Sequence, residues 1–452
     1  MRMIAILMFY AFGSVLGLML PAMACCFYII NDIFRPLDFA YRVLEFPAVH
    51  LTTMILVASV FLRQTPKRWN PIATVLFVIT IWLLVCGVFS PMREFALEQA
   101  WHYAKILLPL LLISCVLTTR WSQEMFVASL AYSVGIWSAQ AGMHGLLTGR
   151  PQIGMSIPGG QMTERNDFMV GCVTALPLLL YVAANYLGPV RFWIRLGTRV
   201  MAGLSVAALV FSLSRGAILG FGLMTLYYVF RTGRASRRLI GITFLLLLAT
   251  FFVPEFLLER MGTIDASVSE QTEGSAQERL DVMQAGVKMA LDNPVLGVGS
   301  SCFVYIVPRY GINANREPHS IWIKAAAEYG FPMLLFFLVV LGHLVRRLAR
   351  KRKAARLAGD RPTENLCIAL ACSIVGFLGA ATFTNTFLSE YFWGVVAVTG
   401  AFLADPSTTG RRQEGTLAGE NPAGAPAGTG FRSPRLAGAT TAGEPGGSAG
   451  PG

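Results

Sequence analysis

Long apolar runs recur along almost the whole chain, separated by short polar or basic stretches: residues 1–30, 48–62, 72–90, 101–118, 125–148, 168–187, 199–213, 216–230, 238–257, 321–346, 366–385 and 388–404. A helix needs about 20 such residues to cross a bilayer, and inside hydrocarbon only helices and closed barrels satisfy their own backbone polar groups. The runs predict an all-α polytopic membrane protein with about twelve transmembrane helices, residues 1–30, broken by Pro21, being one long kinked span or a span plus a re-entrant turn and counting as one crossing. Composition agrees, since 54% hydrophobic and 14% charged residues, with a mean hydropathy of +0.57, leave too little polar surface for a soluble fold. The formal charge of +12 would suit nucleic acid, but membrane proteins gather Lys and Arg in cytoplasmic loops. Membrane lipid is therefore the expected neighbour, and no nucleic-acid partner is expected.

The basic residues also set an orientation. Arg63 to Arg68, then Arg231, Arg234, Arg237 and Arg238, then the run from Arg346 to Arg356 fall on one side of the predicted topology, which the positive-inside rule makes the cytoplasm. The long polar segment 258–320 falls on the other side and carries eight acidic against five basic side chains. Four regions result: a transmembrane bundle over 1–257, a periplasmic loop over 258–320 holding the candidate active site, transmembrane helices over 321–405, and a disordered cytoplasmic tail over 406–452, rich in Gly, Pro, Ala, Thr and Ser. Both termini are expected in the cytoplasm. Within the loop, Ser275-x-x-Glu278 reads as a capping box, and Leu280, Met283, Val287 and Ala290 follow at helical spacing. A surface helix is expected over 276–291, stopped by Asp292-Asn293-Pro294 and followed by the flexible Gly297-Val298-Gly299 turn.

Few residues carry chemistry. Arg215, inside Ser212-Leu213-Ser214-Arg215-Gly216-Ala217, interrupts one apolar run from Val200 to Phe230, where a charge costs on the order of 3 kcal/mol at the bilayer centre. It marks a helix junction or a polar cavity; the serines and glycine suit backbone approach to an anion, while the plainer reading is a snorkelling arginine. His319 follows Pro318 and precedes Ser320, a plausible helix N-cap, so its imidazole should stand at the mouth of the span beginning at Ile321. A neutral imidazole there can take a proton from a hydroxyl, or serve only as an interfacial polar group. Arg279 can grip a phosphate with its fork or pair with Glu278 or Asp281. Arg316 neighbours His319, and Arg165 with Asn166 closes a second outer loop; these three are accessory candidates. His50, His102, His144 and His343 read as packing or surface residues. The eight cysteines form no disulfide framework or CxxC pair, and no Walker loop, HExxH or outer-loop Asp-x-Asp is present, so neither metal nor cofactor is expected.

Three segments resemble, in order, the signatures of the O-antigen ligase and polymerase family: Ser212 to Ala217, Asn293-Pro294-Val295-Leu296-Gly297-Val298-Gly299, and Pro318-His319-Ser320 leading to Glu328-Tyr329-Gly330. Gly145 to Gly149, Asn166-Asp167 and Glu259 to Ile264 resemble its exosortase A-associated branch, the O-glycosylation ligases. The resemblance implies a bacterial inner-membrane glycosyltransferase. Such an enzyme takes a glycan from undecaprenyl diphosphate at the periplasmic face and, without a metal, passes it to an acceptor hydroxyl on a lipid, protein or glycan. By position, Arg215 and Arg279 match the family's diphosphate-contacting arginines, and His319 its base. Glu164-Arg165 before the Asn-Asp pair departs from the less charged sequence expected there. A polymerase of repeat units shares this chemistry; a lipid-linked glycan transporter is the alternative of another class, against which stands the clustering of polar residues on one face.

The charge pattern yields a direct test. A reporter fused at Ser269 should read as periplasmic and one at Ala354 as cytoplasmic; the reverse pair would remove the basis for placing Arg279 and His319 on the outer face.

Overall fold

A computed structural model describes residues 2–37, 47–63, 66–149, 164–212, 214–232, 276–313 and 316–405. The predicted span 238–257, the loop residues 258–275 and the predicted tail 406–452 lie outside them. Every regular element among the described residues is helical, and six helices are long and apolar enough to cross a membrane: Pro71–Val88, Arg93–Val116, Arg165–Asn185, Arg191–Phe211, Ile321–Leu357 and Arg361–Ala381. Arg2–Met19, Ala48–Leu62, Arg120–Thr148, Arg215–Thr232 and Glu390–Ala404 complete the set of longer apolar helices.

Local chemistry sets the helix ends. Asn70 accepts from the backbone N–H groups of Ile72 and Ala73 ahead of Pro71, which has no N–H to leave unpaired. Thr119 and Ser122 form a reciprocal capping box, and the same helix closes at Gly149 in a left-handed conformation. Two helices run past their apolar segments: Arg93–Val116 begins eight residues before the predicted start, and Ile321–Leu357 continues well beyond residue 346. Glu, Gln, Ala, Lys and Arg favour helix as strongly as Leu does, so the apolar boundary does not end the element.

Residues 1–30, expected as a kinked span or a span with a re-entrant turn and counted as one crossing, fold back on themselves. The chain breaks at Leu20–Pro21, and Pro21–Ile29 continues into a π-helical turn, Ile30–Phe34. Arg63 donates to Leu18 O at 3.0 Å, while Asn31 meets Thr52 Oγ1 at 3.5 Å, so the two arms lie antiparallel along Ala48–Leu62.

Close approach between helices depends on small residues. A Cβ at Gly220 would collide with Ala380 and Gly376, and one at Gly142 with the backbone of Leu204. Without a hydrophobic drive between helices in lipid, such backbone proximity is what dispersion forces require. The Arg215–Thr232 helix therefore runs antiparallel to Arg361–Ala381. At one end of the bundle basic residues tie the helices together: Arg68 donates to Ala404 O at 2.9 Å, Arg120 to Tyr181 Oη at 3.0 Å and Pro362 O at 3.2 Å, and Arg352 pairs with Glu364 at 3.4 Å.

The surface helix forms over Ala276–Asp292, as expected, but turned about its axis. Its buried side is Val282, Ala285, Gly286, Met289 and Ala290, whereas Leu280 and Val287 of the predicted apolar face are about half exposed. Gly286 explains the rotation: lacking a side chain, it lets Ile323 and Phe303 approach the helix backbone.

The long Ile321–Leu357 helix is broken inside at Gly330, where φ is 81° and ψ 167°. The Asn293–Gly299 turn fills the break. Val298 N–H donates to Ala327 O at 2.8 Å, Gly299 N–H to Glu328 O at 3.0 Å, and Phe331 N–H to Pro294 O at 2.9 Å. Trp82 Nε1 donates to Tyr329 O at 2.9 Å. Ala327 O, Glu328 O, Tyr329 O and Phe331 N–H, released by the kink, thus find partners, as burial demands.

Gly330→Ala should destabilise the fold sharply, because this backbone region is open only to glycine and costs other residues about 1–3 kcal/mol, and because the new Cβ would strike Val295 O. Thermal unfolding in detergent should show a lowered midpoint. Gly342→Ala in the same helix, with no atom near the added methyl, should match or exceed wild type.

Candidate active site

The end of the bundle opposite the basic cluster collects the residues singled out in the sequence. Arg215 opens the Arg215–Thr232 helix immediately after a two-serine turn, and its side chain is exposed. Ser214 Oγ donates to Asn166 Oδ1 at 3.0 Å, and Ser214 N–H donates to Ser212 Oγ at 3.2 Å, so the junction is anchored to the start of the Arg165–Asn185 helix. Gly216 permits its close packing: a Cβ there would lie 3.0 Å from Phe383 Cβ and 3.2 Å from Ala380 O. Among the described residues no hydrogen bond or ion pair engages the Arg215 guanidinium. A cation at the positive end of a helix dipole is unfavourable unless an anion joins it, and the N-terminal N–H groups would share that anion.

His319 reaches the same end by another route. Trp322, three residues further on, donates through Nε1 to Thr382 Oγ1 at 3.1 Å, next to the Phe383 that covers Gly216. His319 itself is exposed and has φ 41°, a left-handed conformation unusual for a residue with a side chain. Its neighbours Pro318 and Ser320 are buried, so the backbone is held while the imidazole projects outward. Ser320 occupies the N-cap position of the long helix but makes no side-chain capping bond, contrary to the expectation from sequence.

The arginines of the loop separate into different roles. Arg316 Nη2 lies 2.7 Å from Glu278 Oε1, which fastens the segment before His319 to the first turn of the surface helix. Arg279, the next residue along that helix, is exposed. Arg165 stands half-buried at the start of its helix beside Asn166. His50, His102, His144 and His343 are exposed on helix surfaces.

A buried charged cluster behind His319 escaped the sequence reading. Lys324 Nζ lies 3.3 Å from Glu317 Oε1, within electrostatic range of Glu328, Asp167 and Tyr103. Glu328 is fully buried; its Oε1 accepts from Phe303 N–H at 3.4 Å, and its Oε2 has no hydrogen-bond partner among the described residues. Tyr103 Oη and Ser301 Oγ are 3.2 Å apart. The available signal was Lys324 and Glu328 four residues apart inside an otherwise apolar run, a placement that marks functional or structural polar sites in membranes. A second group comprises Asp32, Arg35 and Glu390, within electrostatic range of one another beside the π-helical turn.

Cys302 borders this cluster, 3.7 Å from Ser90 Oγ. Burial pushes its thiol up to about 11, so it stays protonated at neutral pH and is no nucleophile. No group of three or more His, Cys, Asp or Glu among the described residues is placed to hold a metal ion.

Comparison with curated proteins gives no match. Residues 1–186 match a family of unknown function (DUF5935), a region that holds Asn166 and the Asp32 turn. Residues 200–338, which contain Arg215, Arg279, Arg316 and His319 as well as both partners in the Gly330 break, match the O-antigen ligase family, and this match supports an O-antigen ligase-like membrane enzyme.

Proposed function

We propose that the chain is a multi-pass inner-membrane glycan ligase, metal-independent, that moves a glycan from undecaprenyl diphosphate to an acceptor hydroxyl at the periplasmic face. The observation that carries this reading is the meeting at one end of the bundle of an outward-held histidine and an arginine on a helix N-terminus that has no hydrogen bond or ion pair among the described residues. The opposite, basic end is cytoplasmic on the positive-inside rule, and with it the end of the last helix. Both termini were expected there when residues 1–30 counted as one crossing; the folded-back pair argues for a periplasmic amino end.

Diphosphate is a good leaving group, so the work lies in charge stabilisation and in activating the acceptor. The acceptor oxygen forms a bond to the anomeric carbon as the bond from that carbon to the phosphate oxygen breaks. The electron pair leaves with undecaprenyl diphosphate, whose charge Arg215 and Arg279 balance, and the hydroxyl proton passes to His319. Arg316 serves as a strut through Glu278, and Asn166 aligns the Arg215 junction through Ser214. Arg165 adds positive potential nearby.

Purified protein with undecaprenyl-diphosphate glycan should transfer glycan to an acceptor. His319→Ala and His319→Gln should both lose about 10² to 10⁴ in rate at matched membrane levels, because glutamine cannot accept the proton. A glutamine variant with near wild-type transfer would remove His319 as the base. Arg215→Lys should also be strongly impaired, since an ammonium cannot reproduce the bidentate fork.

A further inference from the structure

The surface helix carries a second apolar stripe that the proposed chemistry does not use. At 3.6 residues per turn Leu280, Val287 and Leu291 fall within about 40° of one another, on the side away from Val282, Gly286 and Met289. They are 51%, 48% and 63% exposed, and Val295, 57% exposed, extends the stripe past the helix end. Asp281, Lys288 and Asp292 occupy a third sector. A helix on a water-facing surface needs two faces, one buried and one polar; this one has three.

Its position shows what the third face meets. Gly286 lies against Ile323, and Pro294 bonds to Phe331, so the two chains descend together. Counted at 1.5 Å per residue from Arg346, where the basic cluster begins, Phe331 stands about 22 Å along the long helix, just short of its break at Gly330. A hydrocarbon core about 30 Å thick, measured from the same point, ends only beyond Phe331. Phe331, Leu335 and Val339 on the long helix are 41%, 63% and 60% exposed, a face suited to lipid. Through the turn docked at Gly330, that face continues into Val295 and Leu291.

We infer that the carboxyl half of the surface helix and the turn after it dip into the leaflet on the site's side of the membrane. Val295 and Leu291 enter the acyl region, Val287 lies at the headgroups, and Leu280 remains toward water. The height of the helix bearing Arg279 is then fixed relative to the bilayer. This rests on the chain spanning a membrane and not on the transfer reaction, so loss of either conclusion leaves the other standing.

All eight native cysteines are buried, which allows a single fluorophore to be placed on the full chain through Leu280→Cys, Val287→Cys, Leu291→Cys or Val295→Cys. In nanodiscs of phosphatidylethanolamine and phosphatidylglycerol, doxyl-acyl lipid should quench the labels at positions 295 and 291 at least about twofold more than the label at 280, with aqueous iodide giving the reverse order. Equal access of iodide to all four positions would overturn the inference, as would shielding from both quenchers, which means that protein covers the stripe. Unsubstituted protein gives an independent reading: a photoactivated diazirine-acyl lipid should leave adducts on residues 287–299, and their absence would also overturn it.

Discussion

A helix that breaks inside hydrocarbon must find partners for the backbone groups it releases, because an unpaired amide there costs several kcal/mol. At Gly330 the long helix does break, and the turn from Asn293 to Gly299 supplies the partners. Two stretches far apart in function, one in a loop and one in a span, are thereby fastened into one element. The docking needs glycine on both sides: a Cβ at Gly297 would strike the Glu328 backbone, and one at Gly330 would strike Val295. The surface helix, the segment before His319 and the amino-terminal half of the long helix all take their places from this contact.

The same contact explains the buried charges. Glu328 lies two residues before Gly330, where Phe303 N–H reaches its carboxylate, and Lys324 one helical turn earlier balances it and Glu317. Ion pairs removed from water do not favour folding by themselves, since desolvation offsets much of their attraction. Their effect is geometric: Lys324 holds Glu317, Arg316 holds Glu278, and between these two anchors the backbone of His319 keeps a left-handed conformation. The imidazole is presented to the surface by a scaffold that has little freedom. Arg215 is positioned by different means, through Ser214, Asn166 and the glycine that seats its helix on Ala380 and Phe383.

Much of this architecture was legible in the chain. Apolar run length located the helices from Ala48–Leu62 to Glu390–Ala404 among the described residues, because hydrocarbon thickness and helix rise leave little choice. Arg215 was readable as a helix junction because a charge interrupts a run that would otherwise continue, and His319 as a residue at a helix mouth because proline precedes it. The family signatures were readable as well, but as separate stretches with no visible reason for their company.

The rest depended on three-dimensional contact. Residues 1–30 are apolar on both sides of Pro21, so hydropathy does not distinguish a kink from a reversal; contacts of Leu18 with Arg63 and of Asn31 with Thr52 decide it. The surface helix has two apolar sides, and its periodicity fits either; the space left by Gly286 selects the one that is buried. Lys324 and Glu328 look costly when the span is read alone, because what neutralises and bonds them comes from Glu317 and Phe303. The chain by itself determined that it forms helices apolar enough to cross a membrane, since that follows from one-dimensional transfer energies, and that Arg215 and His319 stand at helix ends. Only the tertiary structure decided which faces meet and which polar groups satisfy one another, since close packing and hydrogen bonding depend on atoms distant in sequence.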